Sequence, residues 1–293
     1  MESMFTHYFQ SGAHPVSVRL AALLPQLSRS EARIARYVMD NIADIGFETG
    51  VTLARRLAVS EITVSRFLRK AGYKGMAALK RELQAELAVH QFEPQLPRSS
   101  DEVVSALRGA RDQELKAIAR LFDQFESADW AALVAAAADA DEVYVTGFQS
   151  VRGAAEDFTR RLSLARDRVR FVSATDGMLG EWLTYHGDAR AKPVTLIVVD
   201  VVPHAQVGAK IAQIAKEFGF RVIVISDEFC DWAHGLADHT LYAKSRSGMF
   251  LGSTVPLILA LDMLVDFVAR AGPGYGRTRF DSWQLMTNRL SLF

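Results

Sequence analysis

From about residue 140 to residue 243 the chain alternates short β-branched runs with stretches of helical period, and few folds satisfy that pattern. The runs are VYVTG (143–147), VRFV (169–172), VTLIVV (194–199), RVIVIS (221–226) and TLYA (240–243). Helical segments fall between them near 149–165, 176–186 and 204–218. The longer runs are continuously apolar, so both faces of those strands must be covered. Strand–helix alternation with such strands predicts a parallel sheet with helices on both faces. Two long helical stretches, 101–138 and 250–271, frame it.

Before this region the pattern is helical throughout. QFEPQLPRSS, with two prolines and no hydrophobic period, reads as a linker. The expected organisation is an all-α domain over residues 1–90, a linker over 91–100 and an α/β domain over 101–293. A length of 293 residues suits two domains, and 49% hydrophobic with 23% charged residues excludes a disordered chain. Ala131–Ala138 simply favours helix. Cys230 is the single cysteine, so no intrachain disulfide can form, and a cytoplasmic chain is expected. It has no basic sequence neighbour, which predicts an inert thiol. MESMFTHYFQ lacks the basic and apolar regions of a signal peptide. The apolar stretch Met249–Val265 is interrupted by Ser253, Thr254, Pro256 and Asp262. It falls short of the ~20 clean residues a membrane span requires and reads as a buried helix.

The formal net charge of zero conceals an asymmetry. Residues 1–100 carry 13 basic and 9 acidic side chains, and the remainder carries the opposite excess. Between Gly50 and Arg81, Arg55, Arg56, Arg66, Arg69, Lys70, Lys74, Lys80 and Arg81 face Glu61 alone. This is either a phosphate-binding footprint or a solvated helical face.

Pattern extends the charge argument. A helix over 28–42 opens at Ser28 or Ser30, Ser28 having Glu31 at capping-box spacing, and buries Ile34, Ala35, Val38, Met39 and Ile42. A short helix over Thr52–Leu57, capped by Thr52, buries Leu53, Ala54 and Leu57. Ala58-Val59-Ser60 turns the chain, and Ser60 caps a third helix over 61–71 that Gly72 stops. Val64, Phe67, Leu68 and Ala71 form its buried stripe. At about 100° per residue, Ile62, Arg66 and Arg69 point to the opposite side, with Thr63, Lys70 and Ser65 on the flanks. A short helix tightly joined to one with a basic outer face is the helix-turn-helix arrangement, whose second helix enters the major groove. Arg66 is the candidate for reading guanine, and Thr63 or Ile62 for touching a thymine methyl. Thr52, Arg55, Arg56, Ser60, Tyr73 and Lys74 are candidates for phosphate. Glu61, Ser65, Arg69 and Lys70 complete the expected face.

The segment TLARRLAVSEITVSRFLRKAGYKGMAALKREL (52–83) resembles the N-terminal domain of RpiR-type (MurR/RpiR) bacterial transcriptional regulators. The residues that carry the resemblance are Leu53-Ala54, Val59-Ser60-Glu61, Thr63-Val64, Arg66-Phe67, Gly72-Tyr73 and Lys74-Gly75. Members of that family place a sugar isomerase (SIS) domain after it, where this chain has its α/β half. The resemblance implies a flavodoxin-like five-stranded parallel sheet. It also implies a homodimer or homotetramer on an inverted-repeat operator in double-stranded DNA, and a small-molecule effector, often a sugar phosphate. Neither cofactor nor membrane is expected.

Ligands of open parallel sheets bind beyond the carboxyl ends of the strands. Three loops lie there: Gly147-Phe148-Gln149-Ser150-Val151-Arg152-Gly153, Asp200-Val201-Val202-Pro203-His204-Ala205-Gln206, and Ser226-Asp227-Glu228. SIS domains usually carry Gly-x-Gly-x-Ser in the first, where this chain keeps Gly147 and has Gln149 for the second glycine. The second usually carries Ser-x-Ser-Gly-x-Thr, and none of those hydroxyls is present. Asp200 would repel an anion, and Pro203 removes an amide donor. The expected ligand residues are Gly147, Gln149, Ser150, Arg152, His204, Ser226 and Asp227, with His204 either binding or capping a helix. Ser245, Ser247 and Ser253 could line a pocket. Glu181, His186 and His204 are the only bases an isomerase could use, and they form no constellation. No histidine or cysteine spacing suggests a metal. A regulator is therefore the expected function. The alternatives are an SIS enzyme and a regulator whose second domain only dimerises.

Overall fold

The computed structural model describes residues 15–90, 99–185, 194–202, 204–245, 247, 249, 252–271 and 275–291. The proposed linker residues 91–98, the N-terminal peptide, His186 and Pro203 lie outside the described residues. The chain divides into two compact units, residues 1–92 and 93–293.

The first unit is helical: α1 (Pro15–Leu23), α2 (Arg29–Asp40), α3 (Gly50–Arg56), α4 (Glu61–Lys70) and α5 (Met76–His90). Its core joins Val16 and Leu20 to Ile34, Val38, Leu53, Val64, Phe67, Leu68, Leu79 and Leu83, all buried. Helix α2 starts at a full capping box. The Ser28 hydroxyl accepts from the Glu31 amide, and the Glu31 carboxylate accepts from the Ser28 amide at 2.8 Å. The expected start of the next helix needs correction. Thr49 is the cap of α3, and Thr52 sits three residues inside, accepting from the Thr49 amide at 2.7 Å. Ser60 caps α4 as expected. Between them Ala58 holds a left-handed backbone with φ +47°, a conformation that costs an L-residue about 1–2 kcal/mol. Gly72, at φ +89°, ends α4 without that cost.

In the second unit, α6 (Ser100–Phe125) and α7 (Ala128–Ala138) replace the single stretch read from the sequence. Ser127 breaks it by capping α7. There follow β1 (Val143–Gly147), α8 (Arg152–Ala165), β2 (Val169–Phe171), β3 (Thr195–Asp200), α9 (Gln206–Glu217), β4 (Arg221–Ser226), α10 (Ala233–Leu236), β5 (His239–Tyr242), α11 (Val255–Ala271) and α12 (Tyr275–Arg289). The segment near 176–186 is not an α-helix. It is a 3₁₀ run, Met178–Tyr185, entered through Gly177 at φ +72°. The five strands are parallel in the order β2-β1-β3-β4-β5. Val145, Ile197, Val199, Ile223 and Ile225 pack under α7, α8 and α11, while Tyr144, Leu196, Val198, Val222 and Val224 pack under α9 and α10. Helix α12 adds to the first face: Gly276 abuts Ala269, and the Arg279 guanidinium donates to the Ser163 carbonyl.

Cys230 is buried, and burial pushes its thiol up to about 12, so it stays protonated near neutral pH. Among the described residues no helix is long and apolar enough to cross a membrane. Because Ala58 carries a left-handed backbone, Ala58→Gly should stabilise the helical unit by about 0.5–1 kcal/mol. Urea unfolding of the two proteins compares them; an unchanged or lower midpoint would show that the turn holds no strain.

Candidate DNA-reading face and effector site

Helices α3 and α4 are joined through a four-residue turn, 57–60, in which the Val59 amide donates to the Ala54 carbonyl. The stripe Val64, Phe67 and Leu68 anchors α4 and turns its other side to solvent. There Ile62 is 69% exposed, an unusual placement for a large apolar side chain. Glu61, Ser65, Arg66 and Arg69 are exposed beside it, and Thr63 is half-buried. Arg69 lies along its own helix toward Ser65. Arg55, Arg66 and Lys74 are exposed and have no ion pair among the described residues.

Other expected contacts are committed within the fold. Tyr73 is only 5% exposed, and its hydroxyl meets Arg19, which also pairs with Glu82. It is a bracket between α1 and α5 rather than a phosphate contact. The Thr52 hydroxyl donates to the buried Glu48 carboxylate at 2.6 Å, and Arg56 pairs with the same group at 2.7 Å. The Thr52 hydroxyl and the Arg56 guanidinium thus share the buried Glu48 carboxylate. The Ser60 hydroxyl accepts from the Thr63 amide at 3.1 Å and lies 2.8 Å from the Thr63 hydroxyl. Lys70 reaches back to the Gln26 carbonyl and to Glu31. The Ser28 amide, with Lys70, holds the Glu31 carboxyl below its ordinary range.

The sheet order reverses between β1 and β3, so the crevice beyond their carboxyl ends is the expected ligand position. The loop residues there divide by role. Gly147 is a packing glycine: a Cβ would lie 2.4 Å from the Ala155 Cβ. It lets α8 approach β1 and offers no surface. Gln149, at φ +48°, and Ser150 are exposed in the turn before α8. Arg152 pairs with Glu156 at 2.9 Å and Asp176 at 2.6 Å. Ser226 is buried and donates to the Asp200 carbonyl at 2.5 Å. Asp227 is a buried brace that accepts from the Val202 and Phe229 amides. His204 does not cap a helix; the residue before α9 is Ala205, and the imidazole lies 3.2 Å from Asp227. Burial opposes its charged form, but Asp227 outweighs this and raises its pKa. Glu181, one of the potential bases, pairs with Arg170.

Sequence reading overlooked Thr146, Phe148, Gly208 and Trp232, and treated Asp200 only as a repulsive charge. Burial pushes the Asp200 carboxyl up to about 7. The available signal was strand alternation, which carries the face of Tyr144 and Val198 on to Thr146 and Asp200.

Residues 17–90 match the helix-turn-helix domain of the rpiR family. The chain carries an rpiR-family helix-turn-helix domain. Among solved structures, the NanR protein of Vibrio vulnificus complexed with ManNAc-6P is similar over 94% of this chain and 98% of its own, at 19% identity and a TM-score of 0.56. The sugar isomerase domain of an RpiR transcription factor from Sphaerobacter thermophilus is similar over 60% of this chain and 96% of its own, at 20% identity and a TM-score of 0.52. These likenesses show a shared fold: the second unit has the architecture of a sugar isomerase domain. A comparison with curated proteins gave no match.

Two substitutions test these assignments. Tyr73→Phe in the rpiR-family domain should lower stability by about 1 kcal/mol, the worth of its hydrogen bonds, while DNA affinity at fixed salt stays the same. A uniform loss of DNA affinity across sequences would return Tyr73 to the phosphate contacts. Gly147→Ala should destabilise the second unit by about 1–3 kcal/mol through overpacking against α8. Calorimetry reads the shift, and an unaltered melting temperature would contradict the close approach.

Proposed function

We propose that this chain is a bacterial transcriptional regulator that binds DNA through α3 and α4 and senses a small metabolite through its sugar isomerase-type domain. The observation that carries the reading is the outer face of α4. Ile62 and Arg66 stand exposed one helical turn apart on a helix anchored by Val64, Phe67 and Leu68, within an rpiR-family domain. That spacing suits an apolar contact to a thymine methyl beside a bidentate Arg–guanine pair. Arg55 and Lys74 supply charge for phosphates, which positions the helix without specifying sequence.

A single recognition helix reads one half-site, so an inverted-repeat operator requires a homodimer or homotetramer. Exposed apolar side chains on α6 (Val104, Leu107, Leu115) and α12 (Phe280, Leu285, Met286) support pairing through the second unit. The effector site is the rim where β1, β3 and β4 end. The NanR relative was solved with ManNAc-6P, which supports a sugar-derived ligand for this fold. Catalysis is not part of the reading, because residues 17–90 match an rpiR-family helix-turn-helix domain and Glu181 is paired with Arg170. An effector acts on DNA only through different affinities for two arrangements of the protein.

Selection of bound DNA from a random pool tests the regulator reading, with near-palindromic sites expected. On the selected site Arg66→Ala should cost about 1–3 kcal/mol and relax preference at one base pair per half-site, with the circular dichroism spectrum unchanged. Undiminished affinity would remove α4 from the groove. Turnover of a phosphosugar with no selectable DNA site would instead favour an isomerase.

A further inference from the structure

The carboxyl rim of the sheet holds buried polar groups that DNA reading does not use. On the face covered by α9 and α10, Thr146 and Asp200 follow Tyr144 and Val198 by two residues, and each is 1% exposed. Thr146 pairs in register with Val198, so it stands on the strand beside Asp200. The Thr146 hydroxyl, the Oδ1 oxygen of Asp200 and the indole N–H of Trp232 have no hydrogen-bond partner among the described residues. The second oxygen of Asp200 is occupied, accepting from the Ala205 amide at 3.0 Å. Gly208, in the first turn of α9, lies close to Asp200, Phe148 and Trp232. A Cβ there would lie 3.3 Å from Asp200 Oδ2, 3.3 Å from Phe148 Cε2 and 3.5 Å from Trp232 Cζ2.

Buried polar atoms are nearly always paired, so three orphans in one place point to a missing partner. Each orphan restricts that partner. The carboxylate oxygen requires a donor, best a charged one, and the rings of Phe148 and Trp232 favour a cation. The indole N–H can only donate, so the partner must also present an acceptor. The Thr146 hydroxyl suits either role. An anion fits poorly: Asp200 faces it, Asp227 and Asp231 lie behind, and His204 is engaged by Asp227. Burial disfavours the ionised form of Asp200, His204 nearby works against that, and a bound cation would favour ionisation further.

We infer that this rim binds a small unphosphorylated hydroxylated amine, with its ammonium on Asp200 and its hydroxyls on Thr146 and the Trp232 N–H. The inference rests on reading the second unit as an effector domain and names the chemistry of that effector.

Thermal unfolding of the full chain tests it, with glucosamine, glucose, glucose 6-phosphate and inorganic phosphate as probes at matched ionic strength. Glucosamine should raise the melting temperature, glucose should do so less, and the two phosphates should not. Thr146→Val keeps shape while removing the hydroxyl; it should melt as the parent does without ligand and bind glucosamine about 10-fold more weakly. Asp200→Asn should bind glucosamine and glucose alike. An equal or larger shift with glucose 6-phosphate overturns the inference. So does the absence of any shift with glucosamine, or a glucosamine shift that both variants leave intact. The melting readout is independent of DNA. A glucosamine shift with unchanged operator affinity therefore keeps the site and removes the sensing role.

Discussion

The central strands of the sheet are buried along their whole length, and this burial organises the second unit. Strands β1 and β3 expose no residue to water, and β4 only partly exposes Arg221. Polar chemistry cannot sit along such strands without a partner, so it collects where they end. The rim gathers Thr146, Asp200, Ser226, Asp227 and Glu228, all buried. Most of their atoms serve the fold. Asp227 ties the loop after β3 to the loop after β4, and Ser226 ties β4 to the end of β3. Among these rim residues the fold leaves the Thr146 hydroxyl, Asp200 Oδ1 and Glu228 Oε1 without a hydrogen-bond partner among the described residues.

The helical unit obeys the same logic with the opposite outcome. Its buried carboxylates, Glu31 and Glu48, take up Lys70, Arg56 and Thr52, which removes part of the apparent basic surface. The charge excess in the sequence is larger than the charge free to meet phosphate. Of the exposed basic residues of α3, α4 and the turn after α4, Arg55, Arg66 and Lys74 have no ion pair among the described residues, and Ile62 is exposed with them. Lys70 also joins the end of α4 to the start of α2.

Much of this was legible from residue order. Five strand runs and the capping of α4 by Ser60 follow from short-range periodicity and from chemistry within four residues. The differences have separate causes. Thr49, not Thr52, caps α3, and the Thr52 hydroxyl completes the capping box and donates to Glu48. Tyr73 looked like a phosphate contact because Arg19, its partner, is 54 residues away in sequence. The stretch near 176–186 has helical composition, but it takes a tighter 3₁₀ path entered through Gly177 at φ +72°. Gly147 looked like a ligand glycine, and only the approach of Ala155 shows it to be a packing one.

The sequence by itself determined the order of elements, the parallel sheet and the reading helix with its buried and exposed sides, because periodicity and capping act over a few residues. It also revealed the loss of the phosphate-binding hydroxyls, since absence of a residue type needs no coordinates. Tertiary structure decided which side chains are free. Whether an arginine meets DNA or Glu48, and whether an aspartate braces a loop or awaits a ligand, depends on partners distant in sequence, and hydrogen bonds are satisfied in space.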